Sequence, residues 1–128
     1  MVDYRAESIE NARGAIKGAT LLNGGAAVAL LTQISAIPQA IAGATLVSMV
    51  CWAAGLAVAM LAWVAAFVST RYVDKWLDEK IDAHRVTSNR FQAIGLVLIL
   101  LSIVAFLTGS VYLAWGFHAA YAGQAPTL

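Results

Sequence analysis

Charge is absent from most of this chain. No lysine, arginine, aspartate or glutamate lies between Gly18 and Thr70, and none lies from Phe91 to Leu128. Charged residues make up 12% of the sequence and hydrophobic ones 61%, against roughly a quarter and a half in a soluble domain. An ordinary soluble globule is therefore excluded. Cysteine occurs once, as Cys51 in the middle of an apolar run, so no internal disulfide forms and the residue reads as a small packing element. The net charge is only +1, and Asp74, Asp78, Glu79 and Asp82 offset the cations around them, which leaves no general attraction for nucleic acid. No Walker loop, nucleophile elbow, zinc spacing or dinucleotide fingerprint occurs. In 128 residues there is no room for a soluble catalytic domain beside several membrane spans.

The apolar runs themselves set the fold. Crossing ~30 Å of hydrocarbon takes ~20 helical residues, so the run from Gly18 to Thr70 crosses twice. Its break falls at Gln33, Ser35, Pro38 and Gln39, where proline removes a backbone donor and polar side chains favour the interface. The expected fold is a single all-α membrane domain over residues 1–128, with a first helix at about 15–35 and a second at about 42–70. The second continues as an amphipathic extension to about residue 86, and a third helix spans about 91–121. A turn near Thr87, Ser88 and Asn89 would start the third helix with a polar cap.

All eight basic residues sit in two stretches, Arg5, Arg13 and Lys17 in one and Arg71, Lys75, Lys80, Arg85 and Arg90 in the other. Lysine and arginine accumulate on the cytoplasmic side. Three crossings then give an inner amino terminus, an inner segment at 71–90 and an outer carboxyl terminus. The leader contains Asp3, Glu7 and Glu10, which argues that the first forty residues are a retained span and not a cleaved signal peptide.

Small residues recur every seven positions. The third span has Gly95, Ser102, Gly109, Gly116 and Gly123, with Ala105 on the same face. The second has Ser48, Gly55, Ala62 and Ser69, widened by Ala44, Cys51, Ala59 and Ala66, and the first has Gly18, Gly25 and Thr32, with Gly14 and Gly18 as a GxxxG pair. Helices in lipid associate through close contact that small residues permit, and a seven-residue repeat keeps the seam facing its partner. Three continuous stripes exceed what one small bundle needs, which implies self-association. A bulky stripe, Met49, Trp52, Leu56, Met60, Trp63 and Phe67, faces lipid, fills a neighbouring groove or lines a hydrophobic constriction.

Candidate polar chemistry is sparse. Asn23, within the first span beside two glycines, is placed either at a helix interface or on a water-filled path. Apart from Lys17 and His118 near the ends of their helices, no acidic or basic residue lies within a span, which argues against a proton-coupled carrier. His84 and His118 fall on opposite sides and cannot share a metal or haem. His84-Arg85-Val86-Thr87 is superficially similar to a motif in the cytochrome subunit of succinate dehydrogenases, but no later mid-membrane histidine is available for haem. No cofactor or metal is expected. At 71–90, Trp76 with Arg71, Lys75 and Lys80 forms a candidate face for a cytoplasmic protein partner.

The stretch Leu21-Leu22-Asn23-Gly24-Gly25-Ala26-Ala27-Val28-Ala29-Leu30-Leu31, behind a charged amphipathic leader, resembles the first helix of small multi-span bacterial membrane proteins that mostly lack an assigned function. Some proteins of this kind act as membrane-permeabilising effectors in bacterial conflict or phage defence. The resemblance implies the bacterial inner membrane and a homo-oligomeric pore-forming or membrane-perturbing role. The alternative is an accessory subunit of a larger membrane complex, docked through the same small-residue faces.

Overall fold

A computed structural model describes residues 4–122, with side chains from Ile9 onward. Gly123 of the seven-residue series, the acidic and basic residues before Ile9, and the segment expected to lead outside lie beyond the described side chains. The described chain contains three α-helices and no strand: α1 (Tyr4–Thr32), α2 (Ala42–Glu79) and α3 (Asp82–Ala122). Each is long and apolar enough to cross a bilayer. At ~1.5 Å per residue, α2 and α3 run about 57 and 61 Å, well past the ~30 Å hydrocarbon layer. Leu46, Val50, Val64, Leu96, Val104 and Val111 are all exposed. An apolar surface on that scale is untenable in water and ordinary in lipid.

Helices α1 and α2 are separated where the sequence predicts. Ile37 and Pro38 are extended, at φ −73°, ψ 121° and φ −61°, ψ 141°, because a proline pushes the residue before it out of the helical region. Short 3₁₀ turns at Ile34–Ala36 and Gln39–Ile41 flank them. Ile41 is buried and closes that end of the bundle.

The opposite turn falls elsewhere than expected. The amphipathic extension stops at Glu79, not near 86, and α3 begins at Asp82, not near 91. Lys80 adopts the left-handed conformation, φ 55° and ψ 29°, and its N–H donates to Trp76 O at 2.9 Å, the geometry that caps helix carboxyl ends. Thr87, Ser88 and Asn89 do not break the chain. The Thr87 hydroxyl donates to Ala83 O at 2.9 Å and the Ser88 hydroxyl to Ser69 O at 3.1 Å, so these two hydroxyls are satisfied within and between helices, and Asn89 is exposed. Aromatic contacts secure the hairpin: Tyr72 stacks on Phe91 with centroids 6.1 Å apart, and His84 Nε2 meets Glu79 Oε2 at 2.9 Å. Helix α1 likewise starts at Tyr4 and not near 15, ending at Thr32 and not near 35. The leader holds no proline and lays Ile9, Ala12 and Ile16 along the cleft facing α2.

Ile9 and Arg13 line the same cleft as Arg71 and Asp74, so both charged stretches share one end of the bundle. The α2–α3 pair makes the most extensive contact, and α1 leans mainly on α2.

That pairing has a regular register. Ser69 bonds Ser88, Gly95 lies against Ala62, Ser102 bonds Gly55, and Ser48 bonds Gly109. Positions advance by seven in one helix as they retreat by seven in the other. Gly116 sits so close to Ala44 that a Cβ on it would collide with the Ala44 methyl. The small-residue stripes of α2 and α3 are thus each other's partners within one chain.

Candidate functional site

The middle step of this seam is also where α1 crosses it. Asn23 is 0% exposed, as are Ser102 and Ser48. Asn23 Nδ2 donates to Ala19 O at 3.0 Å on its own helix, and to Ser102 Oγ at 3.0 Å and Ser102 O at 3.2 Å on α3. Ser102 Oγ in turn donates its hydrogen to Gly55 O at 2.8 Å on α2. One amide and one hydroxyl therefore tie three helices at a single level. Two of the atoms facing Nδ2 are carbonyl oxygens, which only accept, and this fixes the orientation of the amide. Asn23 Oδ1 is buried without a partner and rests over Gly55, where a Cβ would overlap the Asn23 side chain. Glycine at 55 is what makes room for the asparagine.

The adjoining steps repeat the device. Ser48 Oγ reaches both Ala44 O and Gly109 O at 2.8 Å. Trp52 Nε1 donates to Phe106 O at 3.2 Å, its ring stacking on Phe106 at 6.3 Å. Gly109 admits that indole, since a Cβ there would lie 2.8 Å from Trp52 Nε1 and 3.1 Å from Cys51 Cβ. Gly95 is looser, its nearest neighbour being Ala65 Cβ at 3.7 Å.

Of the residues singled out from sequence, Ser48, Gly55, Ala62, Gly95, Ser102, Gly109 and Gly116 fall together in the α2–α3 seam. Gly18 and Gly25 do not. A Cβ on Gly14, Gly18 or Gly25 meets nothing within 4 Å, and at 100° per residue these glycines lie on the opposite side of α1 from Ile16, Ala19 and Asn23. Asn23 takes an interhelical position, fully buried against α3. The bulky stripe of α2 divides: Trp52 is buried, Leu56 covers Gly24, and Met60, Trp63 and Phe67 are exposed. On the charged end, Arg71 lies over Phe67 at 5.9 Å, Lys75 over Tyr72 at 5.7 Å and Arg85 over Trp76 at 5.5 Å, so the Trp76 face is partly covered by its own chain.

Sequence reading missed Ser88 as a seam residue and Trp52 as an interhelical donor. Ser88 precedes Gly95 by seven, so extending the series one step would have found it. The serine hydroxyls here donate to backbone carbonyls, and no base stands beside them to activate a nucleophile. Among the described residues no three histidine, cysteine, aspartate or glutamate side chains lie together as a metal site would require. The arrangement is suited to fixing helix register. No protein-family model, curated protein or solved structure matches the chain.

Proposed function

We propose that this chain is a non-enzymatic, multi-pass protein of the bacterial inner membrane that assembles with copies of itself and acts on the bilayer as a pore-forming or membrane-perturbing effector. The observation that carries the reading is the open glycine face of α1. Gly14, Gly18 and Gly25 have empty space, as does Gly43 at the start of α2, where Gly24, Gly55, Gly95, Gly109 and Gly116 have a neighbour, and exposed glycine leaves backbone free for the close approach of another helix. The internal seam consumes the stripes of α2 and α3, so α1 is the surface left for a second copy. A conducting path would then run between chains, because the polar groups inside one chain are packed against one another. The basic end faces the cytoplasm in this reading, following the distribution of lysine and arginine, and residues 71–90 are available there to a protein partner.

The test is the mass of the purified chain in detergent together with dye release from vesicles. Oligomers that release dye, with both properties lost in Gly18→Leu, support the proposal. A monomer that leaves vesicles sealed makes the chain an accessory subunit of a larger complex.

A further inference from the structure

The charged end of the bundle holds a cleft of about 480 Å³ between α1 and α2, with Gln92 of α3 at its edge. That size lies within the ~300–1,000 Å³ of small-ligand sites. Its walls are of two kinds. Ile9, Ile16, Trp63, Ala66 and Phe67 are apolar, whereas Arg13, Arg71 and Asp74 supply two positive charges and one negative. Among the described residues, Arg13 and Arg71 form no ion pair.

The cleft also has a definite depth. Trp63 to Asp74 rises ~16 Å along α2, at least twice the ~5–8 Å headgroup layer of one leaflet. Its deep end, at Trp63 and Ala66, belongs to the charge-free span of α2, and its shallow end, at Arg13, Arg71 and Asp74, belongs to the basic segments. A free anion has no use for the apolar floor, and an apolar ligand has none for the arginines. Basic pockets between membrane helices suit anionic lipid headgroups.

We propose that this cleft binds an anionic glycerophospholipid, with its phosphate at Arg13 and Arg71 and an acyl chain passing over Ile16 and Trp63. Asp74 disfavours doubly charged headgroups, so the singly charged phosphatidylglycerol type is the fitting class. This site is independent of self-assembly.

Trp63 is itself the reporter. The full chain is reconstituted in phosphatidylcholine bilayers containing a small fraction of brominated phosphatidylglycerol or brominated phosphatidylcholine, and the Trp63 signal is obtained as the difference from Trp63→Phe. Brominated phosphatidylglycerol should quench roughly fivefold more effectively than its zwitterionic counterpart, the scale set by an arginine near an anionic headgroup. The preference should vanish in Arg13→Gln/Arg71→Gln, persist in Arg13→Lys/Arg71→Lys, and survive in Lys75→Gln. Equal quenching by both lipids, or an unchanged preference in the double glutamine variant, overturns the proposal. Displacement by inorganic phosphate also overturns it, since the ligand would then be a soluble anion.

Discussion

Two glycine faces in this molecule carry the same sequence signature and have opposite fates. The α2–α3 face is closed: Gly55 receives Asn23, Gly109 receives Trp52 and Gly116 receives Ala44. The α1 face is open, with nothing within 4 Å of Gly14, Gly18 or Gly25. Close packing alone does not separate them, because both offer bare backbone. Polar complementarity does. The steps at Gly55 and Gly109 bring hydroxyl, amide and indole donors to carbonyls on another helix, and in hydrocarbon such donors have no other partner; Gly116 adds a methyl contact alone. On the outward face of α1, the Thr32 hydroxyl turns back to Ala29 O on its own helix at 2.7 Å.

The comparison is broken most severely by filling the closed face. Gly55→Leu, Gly109→Leu and Gly116→Leu should each destabilise the monomer by about 1–3 kcal/mol or more, as overpacking does, read as loss of helical signal on titration with a denaturing detergent. Gly25→Leu and Gly18→Leu should shift that midpoint by less than about 0.5 kcal/mol, as at an unconstrained surface. Gly95→Ala, on the closed face but with its neighbour at 3.7 Å, should behave like the open ones.

A sharper version concerns Asn23 and Gly55 together. Gly55→Ala alone sets a methyl against the asparagine, and Asn23→Ala alone removes the three-helix tie and leaves a cavity. The double variant fits the new methyl into the vacated space, so a double-mutant cycle should give a favourable coupling of about 0.5–3 kcal/mol. Independent effects would separate the two residues that the structure places in contact. Ser102→Ala should cost less, about 0.6 kcal/mol and at most ~1.7, in the same titration. An effect of opposite sign belongs to the turn between α2 and α3. Lys80→Gly relieves a left-handed lysine and should stabilise by up to about 1 kcal/mol, seen as a higher midpoint.

Much of this was legible in the sequence because the membrane simplifies the rules. The number of spans follows from charge-free length, and the break at Pro38 from the missing N–H. The faces of α2 and α3 follow from spacing, since bare backbone must be covered or left bare on one side of a helix. What spacing does not contain is the identity of the partner. Gly18 and Gly25 repeat at the same interval as Gly109 and Gly116, and only the placement of Asn23 on the other side of α1 turns them outward. The 79–82 turn was hidden for a different reason. Lys80 and Ile81 carry no turn chemistry, whereas Thr87, Ser88 and Asn89 do, and the Thr87 and Ser88 hydroxyls found carbonyl partners on α3 and α2. The orphaned Oδ1 of Asn23 is likewise invisible without the three-dimensional neighbours.

The central claim is that the α2–α3 seam holds one chain together while the α1 glycine face joins chains. Cysteine crosslinking in native membranes, in a Cys51→Ala background, tests it most directly. Oxidation of Ser69→Cys/Ser88→Cys, whose hydroxyl oxygens lie 3.0 Å apart, should yield a compact monomer band. Gly18→Cys should yield covalent dimers. Dimers from the first pair and none from the second would contradict the account.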